Sequence, residues 1–258
     1  MSPSGAVDGL SHTLLRGLRR GVDRLLDKLD LDPEWTEAAR AADRRGNLVY
    51  VLRHASIADY LALDHLTRRL GLTPIGFVNE LPPRIAPQGS APPAAALRKA
   101  LANRRAAALF VKRRPETTMG RGRREGSALL ETLMQLQRDD MDRPIVLLPQ
   151  IFVWSARPEQ RRFSLVDTLF GPAEFPGELR MAAQLLLDNQ GCRLRAGEPL
   201  ELRDFLAEQR GSNEALARRL TYALLRKVER ERRIVVGPAH KPPDRVREDV
   251  LRSPKLRA

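Results

Sequence analysis

The chain predicts an α/β fold, a mostly parallel sheet flanked by helices, with basic helices towards both ends. Three observations carry this. Short apolar runs rich in β-branched residues recur at 48–52, 107–111 and 145–148. Stretches with apolar residues at helical spacing separate them, the alternation expected of parallel strands joined by helical crossovers. The flanking segments, 10–31 and 213–233, combine an apolar stripe with clusters of arginine.

Composition bounds the function. A length of 258 residues, 42% apolar and 30% charged, suits a globular chain with ample core. No apolar run reaches the roughly 18 residues that a membrane-spanning helix requires. Asp8, Arg16, Arg19 and Arg20 break up any signal-peptide core. Cys192 is the only cysteine, so no intrachain disulfide or cysteine-based metal site is expected, and a cytoplasmic location follows. The net charge of +13 implies an anionic partner: a phosphate-bearing metabolite, anionic lipid or nucleic acid. Nucleic acid is disfavoured by the 5% aromatic content and the lack of a recognisable binding motif.

In chain order, residues 1–45 form a helical region. Its first helix carries Leu10, Leu14, Leu18, Leu25 and Leu29, with arginines on other faces. It is either a core-packed helix with a solvated basic face or an amphipathic helix for an anionic membrane surface. A second helix starts after Asp32, with Pro33 at its first position. The α/β domain spans 46–210. Leu48–Leu52 reads as a buried strand, and a helix follows with Ile57, Tyr60, Leu61, Leu66 and Leu70 at helical spacing. Pro74–Val78 reads as a short strand, 80–93 as a proline-rich loop that is a mobile lid or a disordered excursion, and Ala94–Arg105 as a helix. Strand Ala107–Val111 runs into Lys112-Arg113-Arg114-Pro115, and Ser127 caps a helix Ala128–Arg138. Gly120, Gly122 and Gly126 match no phosphate-binding glycine spacing. Strand Ile145–Leu148 is interrupted at Pro149-Gln150 and continues as Ile151–Trp154. An irregular segment, a helix Leu179–Leu187, a strand Cys192–Arg195 and a helix Leu202–Glu208 complete the domain. Asn213 caps a basic helix over 211–236, and the proline-rich, charged residues 237–258 read as a linker-like tail.

The candidate site is the junction Arg53-His54-Ala55-Ser56, between the strand and the helix that bears Asp59. Ligands of open α/β folds bind at such strand ends. His54 is a candidate general base for a hydroxyl nucleophile, and Asp59 a group that orients the imidazole. The bland alternative makes His54 a surface-turn histidine and Asp59 a first-turn residue favoured by the helix dipole. Lys112, Arg113 and Arg114 could bind a phosphate in the same crevice or form a solvated basic turn. His65 reads as packed, and Phe152 and Trp154 as core and strand-end residues. There is no Gly-x-Ser-x-Gly elbow and no metal-ligand spacing.

The block Val-Tyr-Val-Leu-Arg-His-Ala-Ser-Ile-Ala-Asp-Tyr-Leu-Ala-Leu, 49–63, resembles the first motif of the glycerolipid acyltransferases. It is most similar to the membrane-associated bacterial glycerol-3-phosphate 1-O-acyltransferases, in which the block reads His-x-Ser-x-x-Asp-Tyr-Leu; Ser56 and Tyr60 match alongside His54 and Asp59. Arg143–Trp154, a hydrophobic strand around Pro149, resembles the fourth motif, and Gly197-Glu198-Pro199-Leu200 the turn that follows it. The third motif is represented by Phe110-Val111 and then Lys112-Arg113-Arg114-Pro115, without the family's acid and glycines, and the second has no clear counterpart.

The resemblance implies an acyltransferase of phospholipid synthesis. His54 would deprotonate the sn-1 hydroxyl of glycerol-3-phosphate and Asp59 would orient it, with acyl-CoA or acyl-carrier protein as co-substrate and no other cofactor. Ser56, Lys112, Arg113, Arg114 and Pro149 would contact substrate. The enzyme would sit peripherally on the inner face of the cell membrane, held by basic amphipathic surface. The altered motifs suggest an alternative, a catalytically degenerate acyltransferase-like module that binds anionic lipid or a partner. They also raise the conjecture that the chain is the front of a longer protein.

Overall fold

The structure is a computed structural model that describes residues 32–112, 121–156 and 189–236. The predicted helices 10–31 and Leu179–Leu187, the irregular segment 163–177, Arg113, Arg114 and the tail 237–258 lie outside the described residues. In order, the elements are α1 Pro33–Arg45, β1 Asn47–His54, α2 Ile57–Arg69, β2 Ile75–Val78, α3 Pro93–Ala102, β3 Ala106–Lys112, α4 Arg121–Asp139, β4 Ile145–Ala156, β5 Asn189–Ala196, β6 Leu200–Glu201, α5 Leu202–Glu208 and α6 Asn213–Val236.

Strand β1 is central because its residues are apolar on both sides, as a strand covered on both faces must be. The sheet order is β2-β3-β1-β4-β5, with β6 also on β4. Strands β1 to β4 are parallel, and β5 and β6 run antiparallel to β4. Alternation along β1 feeds two cores. Leu48, Tyr50 and Leu52 pack with Trp35 of α1 and Leu63 and Leu66 of α2. Val49 and Val51 face Leu97 of α3, Leu133 of α4, Leu202 of α5 and Leu220 and Leu224 of α6. The basic helix α6 thus belongs to the core through Leu216, Leu220, Leu224 and Val228, all buried. The chain enters β1 through a close approach that only glycine allows: a Cβ on Gly46 would lie 1.9 Å from the Pro144 carbonyl oxygen. That oxygen accepts the Asn47 N–H at 2.9 Å, tying the start of β1 to the residue before β4.

Several boundaries differ from the sequence reading. Helix α4 starts at Arg121, so Ser127 lies within it and its hydroxyl donates to Glu131 Oε1 (3.1 Å) rather than capping. Ser212, not Asn213, caps α6: its Oγ accepts the Ala215 N–H at 3.3 Å, while Asn213 accepts from Arg138 at 2.9 Å. The loop 80–93, expected as a lid or an excursion, is tied to β2 through Gln88. The Gln88 side-chain amide bonds both the N–H and the carbonyl of Val78, covering the exposed edge of β2 as another strand would.

Strand β4 is continuous through Pro149. Proline is tolerated there because the strand changes neighbours at that point. Its ladder with β1 ends at Val51–Pro149, where no N–H is left to donate, and its pairing with β5 begins at Gln150.

Candidate functional site at the carboxyl edge of the central strands

Beyond Val51, β1 keeps its pairing with β3 as far as His54–Lys112 but loses β4. The chain therefore fills one side of β1 with β3 and β2 before crossing to β4 on the other, and a crevice opens at the carboxyl edge where that switch occurs. His54 ends β1 and is half-buried; Lys112 ends β3 in register with it and is exposed. By strand alternation both share the face of Leu52 and Phe110. Asn79 holds β3 in this position: its amide accepts the Phe110 N–H at 2.8 Å and donates to the Phe110 carbonyl at 3.1 Å, prolonging the sheet where β2 has ended.

Ser56 is the N-cap of α2, with extended backbone and its Oγ accepting the Asp59 N–H at 3.2 Å. Its hydroxyl also interacts with the Asp59 carboxylate and favours the charged form. The predicted substrate contact thus has a first engagement within its own helix cap. Asp59 is partly buried, and its Oδ1 accepts a 2.7 Å hydrogen bond from the indole Nε1–H of Trp154, across the crevice on β4. Trp154 stacks on Phe152, with centroids 5.9 Å apart and planes 11° from parallel. Burial pushes the Asp59 carboxyl up from near 3.8 to about 6, and the hydrogen bonds from Trp154 and then Ser56 oppose that rise by favouring the charged form.

Trp154 is the residue that sequence reasoning read as a plain strand-end aromatic. The available signal was its separation of two from Phe152, which puts both rings on one face of the strand beyond the proline. Pro149 itself is buried, and its carbonyl accepts the Gly197 N–H at 2.7 Å, fastening the turn between β5 and β6 to β4. His65 is buried, as expected of a packed residue.

Residues 15–237 match the family model of the glycerol-3-phosphate acyltransferase PlsB N-terminal domain. The chain belongs to this family. No curated protein matches it. Membership makes it a relative of the glycerol-3-phosphate acyltransferases, transferases of phospholipid synthesis that take glycerol-3-phosphate and an acyl donor as substrates. The α/β fold with a mostly parallel sheet, expected from the sequence, is the fold observed.

Among the described residues no group of three or more His, Cys, Asp or Glu side chains is placed to hold a metal ion, and no helix is long and apolar enough to cross a membrane. A cavity of about 300 Å³ lined by Asn47, Arg104, Asp140 and Arg143 opens at the opposite, amino edge of the strands and has no part in the His54 site.

Proposed function

We propose that the chain transfers a fatty acyl group from acyl-CoA or acyl-carrier protein to the sn-1 hydroxyl of glycerol-3-phosphate, with His54 as general base. The observation that supports this reading is that β1 ends at His54 and β3 at Lys112 in register with it, with Asp59 in the first turn of the next helix, where the β1–β4 ladder has ended. His54 takes the proton as the hydroxyl oxygen attacks the thioester carbonyl. The tetrahedral intermediate collapses to the ester, and the proton passes from His54 to the departing thiolate. Asp59, ionised above about pH 6, holds the imidazole in the tautomer that accepts and stabilises the imidazolium. Lys112, with Arg113 and Arg114, binds the substrate phosphate, Ser56 fixes the turn, and Pro149 shapes the crevice by ending the ladder.

Peripheral attachment to the inner face of the membrane fits the outward side of α6. Arg218, Tyr222, Arg226 and Arg230 are exposed at four-residue spacing, with the Arg226 guanidinium 5.8 Å from the Tyr222 ring centroid. Arginines with an aromatic among them suit an anionic lipid surface. That stripe, together with the match to a domain described as N-terminal, also favours a second reading: a catalytically degenerate module that binds anionic lipid or a partner.

One assay separates them. Acyl transfer to glycerol-3-phosphate is measured for the wild type and for His54→Ala, beside binding to vesicles with and without anionic lipid. The catalytic reading expects turnover that falls about 10²–10⁴-fold in His54→Ala. Vesicle binding without turnover supports the module, and turnover that survives His54→Ala eliminates the base.

A further inference from the structure

We infer that Trp154 is a positioning residue: its indole clamps the Asp59 carboxylate from the far side of the crevice and fixes the orientation of the group that faces the reaction. This rests on the catalytic reading above for its functional consequence, though the clamp itself is a matter of geometry.

Where β4 parts from β1 at Pro149, nothing in the backbone ladder holds the two sides of the crevice together. The Trp154–Asp59 hydrogen bond, at 2.7 Å and between residues 95 apart in sequence, spans that gap from β4 to the first turn of α2. A carboxylate acceptor makes the bond charge-assisted and directional. The donor is itself constrained. Stacking on Phe152, a buried residue one repeat back on the same face, limits the rotation of the indole. Indole offers a single N–H and no acceptor, so it favours the ionised carboxylate and cannot exchange protons with it.

The surroundings decide what titrates. Asp59 is held up to about 6 by burial, against the bonds from Trp154 and Ser56. Among the described residues, the other ionisable groups at this edge include His54 and Arg53 at the end of β1 and Lys112 at the end of β3. Arg53 is turned to the opposite face, where Glu229 of α6 holds it at 3.3 Å. Removing the indole N–H withdraws a stabiliser of the charged form, so the acid must ionise at higher pH.

The test uses Trp154→Phe, which keeps the stack and deletes the donor, and Asp59→Asn. In the pH profile of acyl transfer, the acidic limb of Trp154→Phe is expected about one pH unit above that of the wild type, the displacement expected when one charge-assisted bond is lost. Independently of turnover, the indole N–H resonance of Trp154 is followed by ¹H–¹⁵N NMR against pH; the chain has two tryptophans, and the signal missing from Trp154→Phe identifies it. The resonance should move with a midpoint near 6 in the wild type and stay fixed in Asp59→Asn. An indole that titrates in a protein without turnover upholds the clamp and defeats the catalytic reading. An indole that does not titrate, or that titrates unchanged in Asp59→Asn, overturns the clamp. So does an acidic limb that Trp154→Phe leaves in place.

Discussion

The two faces of the sheet are built on opposite rules. Under α3, α4, α5 and α6 the core is mostly apolar, from Val49 and Val51 to Leu224 and Val228, and ion pairs such as Arg53–Glu229 and Lys227–Glu198 stand at its rim. Where that side buries an amide, at Gln137, both ends are used: Oε1 accepts the Ile145 N–H at 2.6 Å and Nε2 donates to the Asp140 carbonyl at 2.8 Å. Under α1 and α2 the core is threaded with polar groups. Trp35 donates to Gln150 at 2.9 Å, yet the Gln150 Nε2, the Tyr50 hydroxyl and one oxygen of Asp43 are buried without a hydrogen-bond partner. Asp59 lies at the open end of the same side. Unsatisfied polar groups and a carboxyl held above its ordinary range are destabilising features, and proteins concentrate them at sites selected for something other than stability. The apolar face holds the fold; the polar face bears the groups that the proposed acyl transfer would use.

That division is open to mutation. The largest expected effect is on the apolar face. Leu224→Ala leaves a cavity against the sheet and should lower the unfolding free energy by about 2–5 kcal/mol in denaturant titration, with turnover per folded molecule unchanged. A loss below ~1 kcal/mol would mean that α6 is not the support described. On the polar face the sign reverses. Tyr50→Phe deletes a hydroxyl with no partner, and the same titration should find it stabilised by about 1 kcal/mol. Destabilisation of that size instead would reveal a buried water bridging the hydroxyl, on which Asp43 acts electrostatically.

Much of this arrangement was legible in the sequence because it is written in local periodicity. The start of α1 at Asp32-Pro33, the β1–α2 junction around His54 and Asp59, the bounds of α5 and the apolar stripe of α6 each follow from neighbours a few residues apart. What escaped depends on partners far along the chain. The arginines and glycines of 120–126 have loop composition, yet α4 already begins at Arg121. Pro149 looks like a break until β5 is seen to pair with the part of the strand that β1 gives up. Gln88 and Asn79 act as substitute strand edges only once β2 and β3 lie beside them. Trp154 acquires its meaning from a carboxylate 95 positions earlier. Nothing near it in sequence announces that contact.

Asp59 offers the most direct test, because its burial keeps an ionisable group in place at a cost. Its carboxyl, raised by burial to about 6, binds its proton more tightly in the folded chain than in the unfolded one. The stability this contributes is complete below pH 4 and is lost as pH rises through 6, a difference of about 3 kcal/mol. Asp59→Asn keeps an acceptor for the Trp154 indole and carries no charge at any pH. Unfolding free energies of the two proteins, measured side by side at pH 8 and pH 4 with acyl transfer followed on the same preparations, should place the variant above the wild type at pH 8, level with it at pH 4, and deficient in transfer. A variant that is less stable at pH 8, or that transfers acyl groups as well as the wild type, would contradict the claim that this face trades stability for chemistry.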